Sequence, residues 1–134
     1  MFQARVVYTD RQESVLEFER KPSIDIKGNH LVLDSNGQKL FLNANTFLVV
    51  KLSYPSPTTV KPFKYQSTTQ YNTKNNASEV LMHCSEPKAE IKLCGNNGLL
   101  FMREDEQVLR IINGEWYESI KIELFTEESP LRKR

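Results

Sequence analysis

The feature that most restricts this chain is a period-two alternation of side chains, broken every few residues by turn chemistry. FQARVVYT alternates from residue 2 onward, and SVLEFER puts Leu16 and Phe18 on one face with Val15, Glu17 and Glu19 on the other. Extended strand sends successive side chains to opposite faces, so this spacing selects strand over amphipathic helix. HLVLDSNGQKLFL is two β-rich runs around Asn36-Gly37. A two-residue hairpin needs positive φ at both central positions, which Asn and Gly tolerate. VLRIINGEWYESIKIELF repeats that signal at Asn113-Gly114 and predicts a second hairpin. Beyond it, Trp116, Ile120, Ile122 and Leu124 fall on one face, with Tyr117, Lys121 and Glu123 on the other. A third turn lies between Gly95 and Gly98.

NTFLVVKLSY is apolar on both faces and reads as a central strand covered on both sides. In ESIKIELFTEE the Glu and Lys residues favour helix, but strict alternation with β-branched residues decides for strand. About nine or ten short strands spaced by turns predict an all-β fold with little helix. The expected architecture is a single small antiparallel β-barrel, OB-, PUA- or PH-like, or a β-sandwich. Residues 1–134 suit one domain. Residues 54–79 break the alternation, with three prolines among many Ser, Thr, Asn and Gln. Residues 55–79 are therefore expected to be a long polar, basic connection between two strand blocks that form the halves of one domain. The tail at 129–134 is expected to fray.

No apolar run approaches bilayer length; the longest is around TFLVVKL. The first twenty residues are charged and alternating, unlike a secretory signal. Pairing residues 80–84 with 89–94 across SEPK would hold Cys84 and Cys94 roughly 17 Å apart, beyond the ~7 Å reach of a disulfide. Free thiols fit a reducing, cytoplasmic setting, and no membrane partner is expected.

Catalytic constellations are hard to assemble. The two histidines are His30 and His83, and neighbouring strand positions send His83 and Cys84 to opposite faces, so they cannot form a nucleophile–base pair. His30, His83, Cys84 and Cys94 lack the short paired spacings of a zinc site. Gly28, Gly37, Gly95, Gly98 and Gly114 all sit at turns, and none belongs to a phosphate-binding loop. Glu104, Asp105 and Glu106 read as a solvated turn. No enzyme, cofactor or metal is expected.

What remains is a charge asymmetry. Between Asp34 and Glu79 the chain carries Lys39, Lys51, Lys61, Lys64 and Lys74 and no acid, leaving 13 of the 18 bases to face all 17 acids. At its centre, KPFKYQSTTQYNTKN puts Lys61, Phe63 and Tyr65 on one extended face, flanked by Lys64, Lys51, Tyr54, Tyr71 and Lys74. Cations that neutralise phosphates, beside rings that stack on bases, are how single-stranded nucleic acid is held. The expected function is a non-enzymatic regulatory domain binding RNA or single-stranded DNA through these eight residues, with Arg132, Lys133 and Arg134 adding non-specific attraction. One alternative is a protein–protein interaction or assembly module using a strand edge and the same segment. Another is a small-ligand-binding barrel. The competing structural role for Phe63 and Tyr65 is to anchor a loop to the core; nothing in the sequence fixes an oligomeric state.

Overall fold

A computed structural model describes residues 1–55 and 61–125. Twelve strands occupy them: β1 (Phe2–Tyr8), β2 (Glu13–Phe18), β3 (Ser23–Lys27), β4 (His30–Ser35), β5 (Gln38–Asn43), β6 (Phe47–Ser53), β7 (Tyr65–Tyr71), β8 (Ser78–His83), β9 (Lys88–Cys94), β10 (Asn97–Glu104), β11 (Gln107–Asn113) and β12 (Tyr117–Leu124). A single 3-10 turn, Gly114–Trp116, joins the last two. All pairing is antiparallel, in a six-stranded sheet of order β2-β1-β6-β11-β10-β9 and two three-stranded sheets, β3-β4-β5 and β12-β7-β8.

The period-two rule explains how these sheets stack. On β10, Leu99 and Phe101 join one hydrophobic cluster while Leu100 and Met102 join another. Alternate residues face opposite ways, so the six-stranded sheet has a core on each side. One core packs Ala4, Val6, Val50, Phe101 and Ile111 against Leu31, Leu33 and Leu42 of the β3-β4-β5 sheet. The other packs Val49, Leu100, Met102 and Ile112 against Tyr71, Leu81 and Ile120 of the β12-β7-β8 sheet. The result is a three-layered, sandwich-like all-β structure. Strand β6 is buried on both faces as its sequence predicts. An irregular register opposite Val7 and Tyr8 lets Leu48 and Val49 both face the second core, between Phe47 and Val50 on the first.

Several expectations need correction. No sheet among the described residues closes into a barrel, and the strands number twelve. Asn36-Gly37 makes the expected β4–β5 hairpin, with φ of 45° and 92°. Asn113-Gly114 does not make a hairpin: β12 leaves the large sheet and pairs with β7. Asn113 stays extended at φ −73°, and its buried amide donates to the carbonyls of Ala44 (2.7 Å) and Phe47 (3.1 Å). Its side-chain oxygen accepts from the Glu115 N–H, starting the 3-10 turn instead. A Cβ on Gly114 would lie 2.6 Å from the Gly98 carbonyl oxygen, so only glycine fits this crossing. On β12, Tyr117 packs with Ile120 in the second core, because the register shifts between Tyr117 and Ser119, while Leu124 is exposed.

The expected connection over 55–79 contains β7, the central strand of its sheet. Its inward residues are Ser67, Thr69 and Tyr71, so the hydropathy contrast that marks other strands is missing. Strands β8 and β9 do not form a hairpin with each other; they pair with β7 and β10. Cys84 and Cys94 are nevertheless free. Residues 129–134, including Arg132, Lys133 and Arg134, lie outside the described residues.

Candidate interaction surfaces and a buried polar relay

The eight residues read as a nucleic-acid surface are distributed over four places. Tyr54 belongs to the first core: its hydroxyl donates to the Val108 carbonyl (2.7 Å), its ring meets Phe2 edge-on and Lys21 caps it at 5.9 Å. Burial pushes its phenol above the ordinary value. Lys51 and Tyr71 converge on Glu79 in the second layer. Lys74 lies in the turn after β7, while Lys61, Phe63, Lys64 and Tyr65 lie at the other end of that strand. A seven-residue strand at ~3.3 Å per residue keeps these ends roughly 20 Å apart. At the start of β7, Lys61, Phe63 and Lys64 are exposed and Tyr65 is half-buried. The Lys64 backbone bonds the His83 carbonyl and the Phe125 N–H, so this segment extends the sheet rather than hanging free.

Beneath β7 lies a chain of polar contacts that the sequence did not reveal. His83 is fully buried; its Nδ1 stands 2.7 Å from Glu104 Oε1 and its Nε2 stands 2.6 Å from Ser67 Oγ. A carboxylate oxygen accepts, so Nδ1 donates to Glu104, while Nε2 shares a hydrogen bond with the Ser67 hydroxyl. Glu104 Oε2 also accepts from the Cys84 N–H at 3.2 Å. This is the contact order of a nucleophile, a base and an orienting acid. Ser67 is 1% exposed, however, with the Met102 sulfur 3.5 Å from Oγ. The relay joins β7, β8 and β10.

A second network lies alongside. Glu79 accepts from Arg110 Nε and Nη2 (both 3.2 Å), from Lys51 Nζ (3.3 Å) and from the Tyr71 hydroxyl (3.2 Å). Burial alone would raise the Glu79 carboxyl; the hydrogen bonds and charge of Arg110, with Lys51 behind them, hold it below the usual range. Burial, reinforced by the Glu79 carboxylate, pushes the Tyr71 phenol well above its ordinary value. No buried side-chain nitrogen or oxygen among the described residues lacks a partner. Sequence reasoning weighed His83 against Cys84 and rejected that pair, read Glu104 as part of a solvated turn where the structure bonds it to His83 and the Cys84 N–H, and missed Ser67, Glu79 and Arg110. The available signal was SEVLMH, where Glu79, Leu81 and His83 share a face and mix charge with an aliphatic.

An open groove runs between the β1–β2 turn and the turn after β7. Its two parts, of about 710 and 240 Å³, share Arg11, Leu48 and Thr73. Lys74 and Trp116 line the larger part, Lys51 and Tyr71 the smaller. No sheet among the described residues closes around a barrel interior. Among the described residues no group of three or more His, Cys, Asp or Glu is placed to hold a metal. No helix there is long and apolar enough to cross a membrane.

The two edges of the six-stranded sheet differ. Strand β2 alternates between exposed and partly covered residues and ends on buried Phe18. Strand β9 is exposed at six of its seven residues, with only Cys94 buried. Ile91 and Leu93 are 68% and 72% exposed, on the same sheet face as their β10 neighbours Leu100 and Gly98. The class defined by these observations is a three-layered β-domain with a polar inner seam and, among the described residues, a largely exposed edge strand on its six-stranded sheet. Compared with protein-family models, with curated proteins and with solved structures, the chain finds no match.

Proposed function

We propose that this protein is a non-enzymatic interaction module that receives a partner strand along β9. One observation carries the reading: among the described residues β9 is bonded on one side to β10, is exposed at six of its seven residues, and presents Ile91 and Leu93 to solvent. An unpaired edge offers backbone donors and acceptors in a row, and strand addition satisfies them while covering adjacent side chains. The test is a photo-crosslinking residue at Leu93, compared in the native cell with the same probe at Val15 on the opposite edge. Discrete protein adducts are expected at Leu93 and absent at Val15, and Ile91→Asp should remove them. Equal adduct patterns at the two edges would overturn the reading.

A second reading, contact with RNA or single-stranded DNA, is supported by Phe63, half-exposed between exposed Lys61 and Lys64. It now rests on this short segment, since Lys51 and Tyr71 are engaged by Glu79 and Tyr54 by the first core. Fluorescence anisotropy with a labelled single-stranded oligonucleotide tests it. Binding should weaken steeply with salt, and Phe63→Ala should cost about 1–3 kcal/mol for a lost stacked base. Salt-independent binding, or none, eliminates it.

A further inference from the structure

Strand β9 is complementary to itself, and we infer that its partner strand is β9 of a second copy of this chain. The inference rests on the interaction reading above and names its partner. In LysAlaGluIleLysLeuCys, residues 88–94, polar and apolar residues alternate. The β9–β10 register places Glu90 and Lys92 beside Phe101 and Leu99, on the face of the first core. It places Ala89 and Ile91 beside Met102 and Leu100, on the face of the second.

A two-fold axis normal to the sheet keeps every residue on its own face, so an antiparallel self-pair must be centred on a residue. Centring on Ile91 puts Glu90 opposite Lys92 of the second copy and Lys92 opposite its Glu90. On the other face Ile91 meets Ile91, and Ala89 and Leu93 meet. Opposite charges directly across an antiparallel pair stabilise it, as do apolar pairs, and like charges oppose it. Centring on Glu90 would place Glu90 against Glu90, and centring on Lys92 would place Lys92 against Lys92. Centring on Ala89 would also set Lys88 against Glu90, but it would place Pro87, which has no N–H to donate, opposite Ile91 and leave Leu93 outside the pair. The Ile91 register pairs Glu90 with Lys92 and engages all seven residues of the strand. In the single chain, Lys92 reaches back to Glu90 of its own strand at 3.3 Å and stands 5.1 Å from the centre of the Phe101 ring, and Glu90 also meets Arg103 at 3.8 Å. The Lys92 and Glu90 side chains are about half exposed, 45% and 50%, so pairing exchanges their contact within the strand for one across the pair. The product is isologous and continues the six-stranded sheet into one of twice the width, with both β9 edges paired.

The test is sedimentation equilibrium of the full chain and its variants, from about 1 µM to 1 mM, a range suited to a small interface. The parent is expected to form a concentration-dependent dimer. Glu90→Lys and Lys92→Glu, each reversing two cross-strand pairs, should each weaken dimerisation by about tenfold or more. An equimolar mixture of the two variants should recover association as a heterodimer, because each lysine-rich strand then faces a glutamate-rich one. The double variant Glu90→Lys with Lys92→Glu should recover the homodimer. Recovery on mixing also answers any concern that a single variant has misfolded. A parent that stays monomeric throughout, or single variants that dimerise like the parent, or a mixture that does not recover, overturns the self-pairing. If Leu93 still crosslinks to a different protein, the interaction reading survives without this partner; if Leu93 crosslinks to nothing, both fail.

Discussion

The two small sheets cover the same six-stranded sheet with different chemistry. The β3-β4-β5 sheet meets it through Leu31, Leu33 and Leu42 against Phe47, Val50, Phe101 and Ile111. The β12-β7-β8 sheet presents Tyr71, Leu81 and Ile120 but also Ser67, Glu79 and His83, which engage Met102, Arg110, Lys51 and Glu104. Burial of apolar area is non-directional and scales with area. Hydrogen bonds and ion pairs contribute little net stability when satisfied and cost much when half-broken. The first layer should therefore supply most of the free energy of folding, and the second should fix how β7 and β8 sit on the sheet.

The largest expected effect separates the layers directly. Phe47 is fully buried in the first core, and Phe47→Ala should lower stability by about 3–5 kcal/mol in urea unfolding. A loss below that of any polar-layer substitution would reverse the ranking. Next comes Glu79→Ala, which strands Arg110 and Lys51. Breaking a buried pair costs about 3–5 kcal/mol. Here the Glu79 and Arg110 side chains are 19% and 14% exposed, so water recovers part of it and about 2 kcal/mol is expected. In the double variant with Arg110→Ala the two losses should not add, which a double-mutant cycle measures.

The same carboxyl predicts an acid limb. Its folded pKa lies below the ordinary 4.5, so its contribution is present above that value and is lost as pH falls through the folded pKa. Tyr71 has the opposite sign: its folded pKa lies above the ordinary 10.0, so its contribution is present below that value and is lost as pH rises through the folded pKa. Glu79→Gln should flatten the acid limb of a stability–pH curve, and Tyr71→Phe the alkaline limb. Unchanged limbs would remove both groups from the account. A smaller loss, about 1–2 kcal/mol, is expected for Ser67→Ala, which leaves Nε2 of buried His83 without its hydrogen-bond partner.

The difference between the layers also sets what the sequence discloses. The first layer announces itself through aliphatic alternation, as in HLVLDSNGQKLFL, where local turn chemistry and burial agree. The same Asn-Gly dipeptide misleads at residue 113, because the Asn113 amide is taken by the distant carbonyls of Ala44 and Phe47 and tertiary bonding overrides the local preference. In the second layer, β7 hides because Ser67 and Thr69 face inward without hydropathy contrast. The partners of His83 lie 16 and 21 residues away, so spacing cannot find them. The basic, ring-bearing segment was visible by composition, but its division between the two ends of β7 follows from strand direction alone. Strand β9 was legible as a strand. That no described strand pairs with its outer edge depends on which strands pair elsewhere, a property of the whole topology.

The smallest expected effect concerns that uncovered strand and completes the ranking. Ile91 lies beside Leu100, which is in the second core, yet Ile91 is itself 68% exposed and in neither core. A core residue of its size would cost about 2–5 kcal/mol on truncation, whereas a surface residue away from special features costs within about 0.5 kcal/mol. Ile91→Thr keeps the β-branched shape that suits a strand while removing apolar surface. At a concentration low enough to keep the chain monomeric, its urea midpoint should match the parent within that margin. A loss of 2 kcal/mol or more would mean that Ile91 contributes to the fold of the single chain. An unchanged midpoint, with weaker association at high concentration, assigns the side chain to contact between molecules, outside both layers.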